Sequence, residues 1–574
     1  MNQRVSEFSE PRPQQPHPWT LLTTMHTSAP RWPGATRAAL ALYVPGLICL
    51  ALGFEQHMLL LAAGVFSVIY GEGQPYRTRW RYILISGALL IGGVMAGNAV
   101  GHVVWGHIDA GGTIWWLGLT ATLTIIFGLV GTFIQNALLL PPPGVFFIIM
   151  VTGGASMSAR GGLTPLDVGL WCAFGVLSGL IFGMAAFFVN PNGPEETTVD
   201  NLCSAVRDFE ENPSIAGNHK AQTALAGAWS ALDSAGIING GRIIRPELSH
   251  LVERTLQARQ DLMRINATSG VIPVSDELSD SPALVDPSRA TIPLARPDVR
   301  TRINRSLTWD SHAMVAAQRM AFAGVISAAV GIALGFDRPD WAVVSAVIML
   351  QWGPERIPGM VRGIQRMFGS IVGIGIFALL HHFEIGGFWM LTVLAIGQFG
   401  AEIFVVRNYA ITVIFTTPIA LMMGSSTTQN IGHVLASRTL EVFIAVLASV
   451  AVLWFLRPKA EARYHSFVAK NCRSAMGALL GALLVTTPRR ALPERRDLQY
   501  ELLTERRTVM SLAANHPLRA DEVWERHQHM QRTGYMLLDY CHGRGHHEAS
   551  LDDLSRLAAQ VRLLLDEERP ELSR

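Results

Sequence analysis

ALGFE, residues 51–55, returns as ALGFD, residues 333–337, 282 positions further along the chain. A five-residue echo gains meaning only if its neighbours recur at the same offset, and they do. Arg37 falls on Arg319, Val65 on Val347, Gly71 on Gly353, Gly87 on Gly369 and Gly93 on Gly375. Two copies of one structural unit are the simplest account, because self-similarity at a fixed offset is the sequence signature of a duplicated architecture.

The repeated unit is apolar. Only 16% of the 574 residues are charged, against about 25% in an ordinary soluble protein, too few to coat a surface of this size. Apolar stretches near 38–54, 57–71, 80–105, 113–134, 137–153 and 168–189 form one series; 319–335, 341–353, 364–381, 387–406, 409–424 and 437–457 form a second. Several approach the roughly 20 residues that cross a bilayer core. The expected fold is an all-α integral membrane protein: two parallel six-span repeats, about twelve transmembrane helices, with helical cytoplasmic segments after each half. The second span of each half is short, so it either runs on into the polar loop or is shielded from lipid by its neighbours. The first 36 residues carry six prolines and no apolar core, so they do not read as a cleaved secretory signal.

Arginine sets the orientation, since cytoplasmic loops carry the excess of positive charge. Arg4, Arg12, Arg31 and Arg37 precede the first span, and Arg77, Arg79 and Arg81 join the second to the third. Arg356, Arg362 and Arg366 hold the equivalent place in the second half, followed by Arg407, Arg457, Lys459 and Arg463, whereas the opposite loops hold Arg160, Arg338 and Arg438. Both termini are therefore expected in the cytoplasm. An even number of spans per half makes the copies insert the same way up, about an axis along the membrane normal.

The parts divide as 1–36, a cytoplasmic segment; 37–190, the first repeat; 191–268, a helical cytoplasmic segment; 269–316, a partly disordered linker; 317–457, the second repeat; and 458–574, a helical cytoplasmic domain. Leu202, Val206 and Phe209, and later Leu225, Trp229 and Leu232, keep helical rhythm in the first polar part. The linker is rich in Pro, Ser and Asp.

Several chemistries find no support. The only lysines, Lys220, Lys459 and Lys470, precede Ala221, Ala460 and Asn471, so there is no Gly-Lys-Ser/Thr loop to hold nucleotide phosphates. Five scattered cysteines without a CxxC suggest neither disulfides nor a zinc cluster. His527, His529, His542, His546 and His547 cluster in the polar tail with no carboxylate or thiol at a metal-ligand spacing except Cys541. No HExxH, GxSxG or GxGxxG occurs. Neither an enzyme, a cofactor, a metal nor a nucleic-acid partner is expected.

The most informative stretch is WAVVSAVIMLQWGPERIPGMVRGIQRMFGSIVGI, residues 341–374: an apolar span closed by Gly353, an arginine loop, then a glycine-spaced span. With RNYAITVIFTTPIAL, residues 407–421, it resembles the fusaric acid resistance (FUSC) family of aromatic acid exporters, which is similar to the plant aluminium-activated malate transporters. The matching residues are Trp341 to Val344, Gly353, Arg366, Gly369, Gly373, the Arg407-Asn408-Tyr409-Ala410 start and the Thr417-Pro418 pair, with Ser370 where the family commonly has threonine. The first half carries a diluted form, Leu59 standing where Trp341 stands. The resemblance implies an export permease of the bacterial inner membrane acting on organic anions such as aromatic carboxylates.

The residues point the same way. Pro141, Pro142 and Pro143, and Pro418, fall in the fifth apolar stretch of each half. Interrupted helices at corresponding positions point to a midplane site, although proline also serves as a plain kink. Arg362 and Arg366 are candidate carboxylate ligands or, alternatively, headgroup anchors. Arg407, Asn408, Tyr409, Thr417, Pro418, Pro142 and Pro143 complete the candidate binding set. Glu402 is an intramembrane carboxylate and hence a candidate proton carrier, unless it pairs with Arg407; Glu441 reads as a partner of Arg438. A gradient-driven efflux permease leads. A passive anion channel and a scaffold whose cytoplasmic helices bind envelope components stay open, as do a second copy of the chain and an accessory periplasmic component as partners.

Overall fold

The computed structural model describes residues 12, 17–25, 31–54, 57–141, 143–269, 292, 294, 296–422, 431–544 and 547–566. It is nearly all helix. A short α1 (Pro18–Thr23) precedes the first membrane half: α2 (Trp32–Ala51), α3 (Met58–Val65), α4 (Tyr76–Asp109), α5 (Leu117–Leu138), α6 (Phe146–Ala155) and α7 (Pro165–Met184). Three polar helices follow, α8 (Gly193–Glu211), α9 (Ile215–Ser234) and α10 (Ser249–Ser269), with a two-residue hairpin pairing Ile238–Asn239 to Arg242–Ile243. Of the stretch read as a linker, Val299–Ser306 form a helix, α11, and most of the rest lies outside the described residues.

The second half repeats the order: α12 (His312–Ala333), α13 (Asp340–Leu350), α14 (Arg356–His382), α15 (Gly387–Phe404), α16 (Tyr409–Met422) and α17 (Ile431–Phe455). The chain ends in α18 (Ala460–Leu483), α19 (Leu492–Asn515), α20 (Pro517–Arg544) and α21 (Leu551–Asp566).

The sequence echo has a local cause. Ala51 and Ala333 are the last residues of the first helix in each half, and Gly53 and Gly335 follow at φ +76° and +79°. Glycine takes this left-handed conformation without a Cβ clash. The Phe54 amide then donates to the Cys49 carbonyl at 2.8 Å and the Phe336 amide to the Gly331 carbonyl at 3.0 Å, the same helix-closing bond in both copies.

Among the described residues, eight helices are long and apolar enough to cross a membrane, and Leu60–Ile69, Phe146–Ala159, Asp340–Leu350 and Tyr409–Met422 are shorter apolar helices. The short members are thus the fifth of each half as well as the second, one more pair than the sequence suggested. A 14-residue helix rises only about 21 Å, against a hydrocarbon core of about 30 Å, so packing must shield it. It does: α3 lies against α7, α6 against α4, α13 against α17 and α16 against α14. Along α13, Ala342 to Leu350 are buried without exception.

The halves interlock reciprocally, α2 packing on α15 and α12 on α5. Inside the third helices the ungapped register fails. Gly93 packs on Thr152 of α6, but Gly375 faces open space; Gly369 and Gly373 instead lie against Ala410, Val413 and Thr417 of α16. Close approach to the fifth helix is kept in both halves, on glycines at different offsets.

The two polar stretches share one core. Leu202, Trp229 and Leu232 belong to the same buried cluster as Cys472, Leu502 and Leu537. This polar domain joins the membrane domain through Arg319 of α12, whose Nη1 donates to Glu461 Oε1 at 3.1 Å and to the Pro354 carbonyl at 2.5 Å. Both Arg319 and Glu461 are 1% exposed.

Candidate functional site

A cavity of about 440 Å³ lies among the membrane helices, within the range of small-ligand sites. Three helices of the second half supply its polar wall. Val361, Arg362, Gln365 and Arg366 come from the first turns of α14, a spacing that puts them on one helix face. Gln398, Ala401, Glu402 and Val405 form a second stripe, on α15 and its end. The start of α16 adds Asn408, Tyr409, Thr412 and Thr416. From the first half come Ile69, Pro143, Phe146 and Phe147; Phe66 and Phe147 stack with ring centres 4.1 Å apart.

Charge within the cavity is unbalanced. Glu402 faces Arg31, Nη2 to Oε2 3.6 Å; its partner is the arginine before the first span, not Arg407. Arg362 and Arg366 make no ion pair among the described residues. Arg362 Nε and Nη2 and Arg366 Nε are buried without a hydrogen-bond partner there, as are Gln351 Oε1 and Ser370 Oγ. The Tyr409 hydroxyl lies in the field of both guanidinium groups. Buried donors without acceptors cost about 1–3 kcal/mol each, so this wall is set up to receive an acceptor.

Asn408 works differently. Its Oδ1 accepts from the Ala410 amide at 3.0 Å, capping α16, while its Nδ2 donates to the carbonyls of Leu22 at 3.2 Å and Thr24 at 3.4 Å. Gln365 Nε2 also reaches the Leu22 carbonyl, at 3.3 Å. The α1 segment therefore lies across the cavity, and Leu21 and Thr24 line it.

A second cavity, about 40 Å³, shares Phe146, Arg366 and Thr416 with the first. Arg366 thus stands between them. Thr417, Ser370, Arg438 and Glu441 line the smaller space. Arg438 Nη1 meets Glu441 Oε2 at 2.8 Å, and Arg338 Nη2 meets Asp340 Oδ2 at 3.3 Å. The Trp341 ring carries both cations, Arg438 at 4.6 Å and Arg338 at 5.1 Å from its centre. Arg338 follows the end of α12 remote from Arg319, so this cluster marks the face opposite the polar domain.

Of the residues singled out in sequence, Arg362, Arg366, Glu402, Arg407, Asn408, Tyr409 and Pro143 come together on the large cavity. Thr417 lines the small one. Pro418 is buried inside α16 against Gly373, off both walls. Pro142 lies outside the described residues. Pro141 and Pro143 precede α6 rather than interrupting it, in a connection held by Tyr70 Oη donating to the Gly144 carbonyl at 2.8 Å. Sequence reasoning missed Arg31, Gln365, Gln398 and the Arg338–Trp341–Arg438 stack. The i, i+3, i+4 stripe on α14 was the one signal that could have found Gln365.

Of the polar-tail histidines, His527 has a structural partner, whereas both ring nitrogens of His542 are buried without a hydrogen-bond partner among the described residues. Glu505, fully buried, accepts from His527 Nδ1 at 2.6 Å, Gln531 Nε2 at 2.8 Å and His465 Nε2 at 3.3 Å. Burial pushes its carboxyl up, but the two histidines outweigh this and hold it well below the usual carboxylate range.

Fold and site together define a helical membrane protein with a cationic cavity enclosed among its spans. Within its second half, residues 323–452 are similar to the fusaric acid resistance protein-like family, and the stretches at 341–374 and 407–421 fall inside the match. Over 261 residues the chain is 23% identical to the uncharacterized membrane protein YvaC of Bacillus subtilis (strain 168), covering 45% of this chain and 41% of that protein. The match thus spans about two fifths of the curated relative's length. No solved structure matches.

Proposed function

We propose that the protein is an inner-membrane efflux permease for small amphipathic organic anions such as aromatic carboxylates, driven by a proton gradient. The observation that carries this reading is the large cavity with two arginines that make no ion pair among the described residues. A planar guanidinium takes a carboxylate through two parallel hydrogen bonds, and Phe146, Phe147 and Trp352 offer apolar faces to a ring. The N-terminal end of α16 opens on the same space and adds a partial positive charge.

In this reading the halves insert the same way up, with both termini and the polar domain on the cytoplasmic side. Substrate rests between Arg362 and Arg366, then passes Arg366 toward Trp341 and Arg438. Glu402 carries the proton: once protonated it releases Arg31, and deprotonation restores the pair. The chain needs no cofactor. A second copy and an accessory envelope component are its proposed partners.

Flux of radiolabelled benzoate through proteoliposomes holding the full chain, with and without a pH gradient, tests the proposal. Gradient-driven accumulation supports it. Voltage-dependent current without accumulation makes the protein a channel, and absence of flux makes it a scaffold.

A further inference from the structure

A third cavity, about 100 Å³, lies where the membrane and polar domains meet. Its walls come from the end of α5, the start of α12, the loop after α13, and helices α18 and α19. Trp352 lines it and also lines the large membrane cavity, so one indole separates the two spaces. Tyr464, Phe467 and Tyr500 supply aromatic surface, and Asn471 and Thr504 supply neutral polar groups.

Two arginines, Arg305 and Arg507, and two glutamates, Glu355 and Glu501, line this chamber, and they are not all paired. Arg305 is held by Glu501 at 2.5 Å. Glu355, on the membrane side of the chamber, makes no ion pair among the described residues. Arg507 makes no ion pair among the described residues, and its Nε is buried without a hydrogen-bond partner there. A guanidinium without an ion-pair partner among the described residues, set among aromatic rings, matches an anionic head on an aromatic body; inorganic phosphate would use the cation and leave the rings idle.

We propose that this chamber is a second binding station for an aromatic carboxylate, with Arg507 holding the carboxylate and Tyr464, Phe467 and Tyr500 flanking the ring, from which the anion reaches the membrane cavity past Trp352. The ligand class rests on the transport reading above. The chamber is the access side of the route, and Trp352 is the partition that must move.

Equilibrium binding of radiolabelled benzoate to the solubilised full chain tests this apart from flux. The expected result is two benzoates per chain in the wild type, one in Arg507→Gln and one in Arg366→Gln. Arg507→Lys keeps the charge and restores the second. In proteoliposomes Arg507→Gln raises KM about tenfold, the loss of roughly 1.4 kcal/mol of binding, with kcat little changed, whereas a merely structural arginine would lower both stability and kcat. Two benzoates retained by Arg507→Gln overturn the chamber and leave the membrane site standing. Two retained by Arg366→Gln, with one lost in Arg507→Gln, overturn the membrane site and leave the chamber standing. Filling the chamber with Asn471→Trp blocks flux; wild-type flux in a folded Asn471→Trp chain overturns the route.

Discussion

The two membrane halves share helix order and the glycine turn after their first helix, yet they handle arginine in opposite ways. In the first half Glu72 binds both Arg37 and, at 2.5 Å, Arg79; Arg77 lies against Gly236 and Arg81 over the Trp80 ring. None of these reaches the cavity. In the second half Pro354 stands where Glu72 would, so Arg319 takes the Pro354 carbonyl and the distant Glu461 instead. Arg362 and Arg366 make no ion pair among the described residues, and at least one guanidinium nitrogen of each is buried without a hydrogen-bond partner there. One copy neutralises its cations and presents an apolar wall; the other keeps two of them open on the lumen. A duplicated unit can thus divide its labour, one half building the scaffold and the other the site.

The largest effect that would sharpen this contrast is on transport. Arg366→Gln is expected to lower benzoate flux about 100-fold, the scale of removing one partner of a desolvated charge pair, while Arg79→Gln leaves the KM of the folded protein unchanged. Equal losses of substrate affinity from the two would break the comparison.

Stability should divide the other way. Glu461→Gln strands the buried Arg319 and should cost about 3–5 kcal/mol, read as a lower unfolding midpoint in detergent. Arg37→Gln, whose partner Glu72 is 35% exposed, should cost about 1 kcal/mol or less.

Coupling comes next. Glu402→Gln is expected to abolish stimulation by a pH gradient while downhill flux persists, since Arg31 then loses a charged partner in every state. Gradient-driven accumulation that survives unchanged in this variant removes Glu402 from the mechanism.

A pH-dependent effect lies where the two polar parts meet. Asp539, beside Arg259 and 3.4 Å from Asn266 Nδ2, is pushed up to about 6 by burial. A raised carboxyl means that the folded state holds its proton more tightly than the unfolded chain, whose value is near 3.9. Its contribution is full below about pH 4 and is lost as pH rises through about 6, on the order of 2–3 kcal/mol in all. Asp539→Asn should flatten stability over that window, as followed by urea unfolding at several pH values.

Much of this was readable in the chain because it is local. The ALGF echo is a helix end in both copies, and the twelve apolar segments match eight long and four shorter apolar helices among the described residues. Arg362 and Arg366 lie at helical spacing on one element, so their sharing a wall follows from sequence, whereas Glu402 joins them only through the tertiary fold. What escaped depends on contacts between distant parts of the chain. The Arg31–Glu402 pair joins residues that no spacing relates, as do the single core under both polar stretches and the shielding of α6 and α16. Proline misled because a Pro-Pro-Pro loop before a short helix and a proline within one look alike when hydropathy alone marks the ends.

The most direct test of the central claim is an electron cryomicroscopy map of the full chain with benzoate. The account predicts density for a ring against Phe146 and Phe147 with its carboxylate between Arg362 and Arg366. A map that leaves those two guanidinium groups unoccupied at saturating benzoate, or seats the ligand against Arg37, Arg79 and Glu72 of the first half, contradicts it.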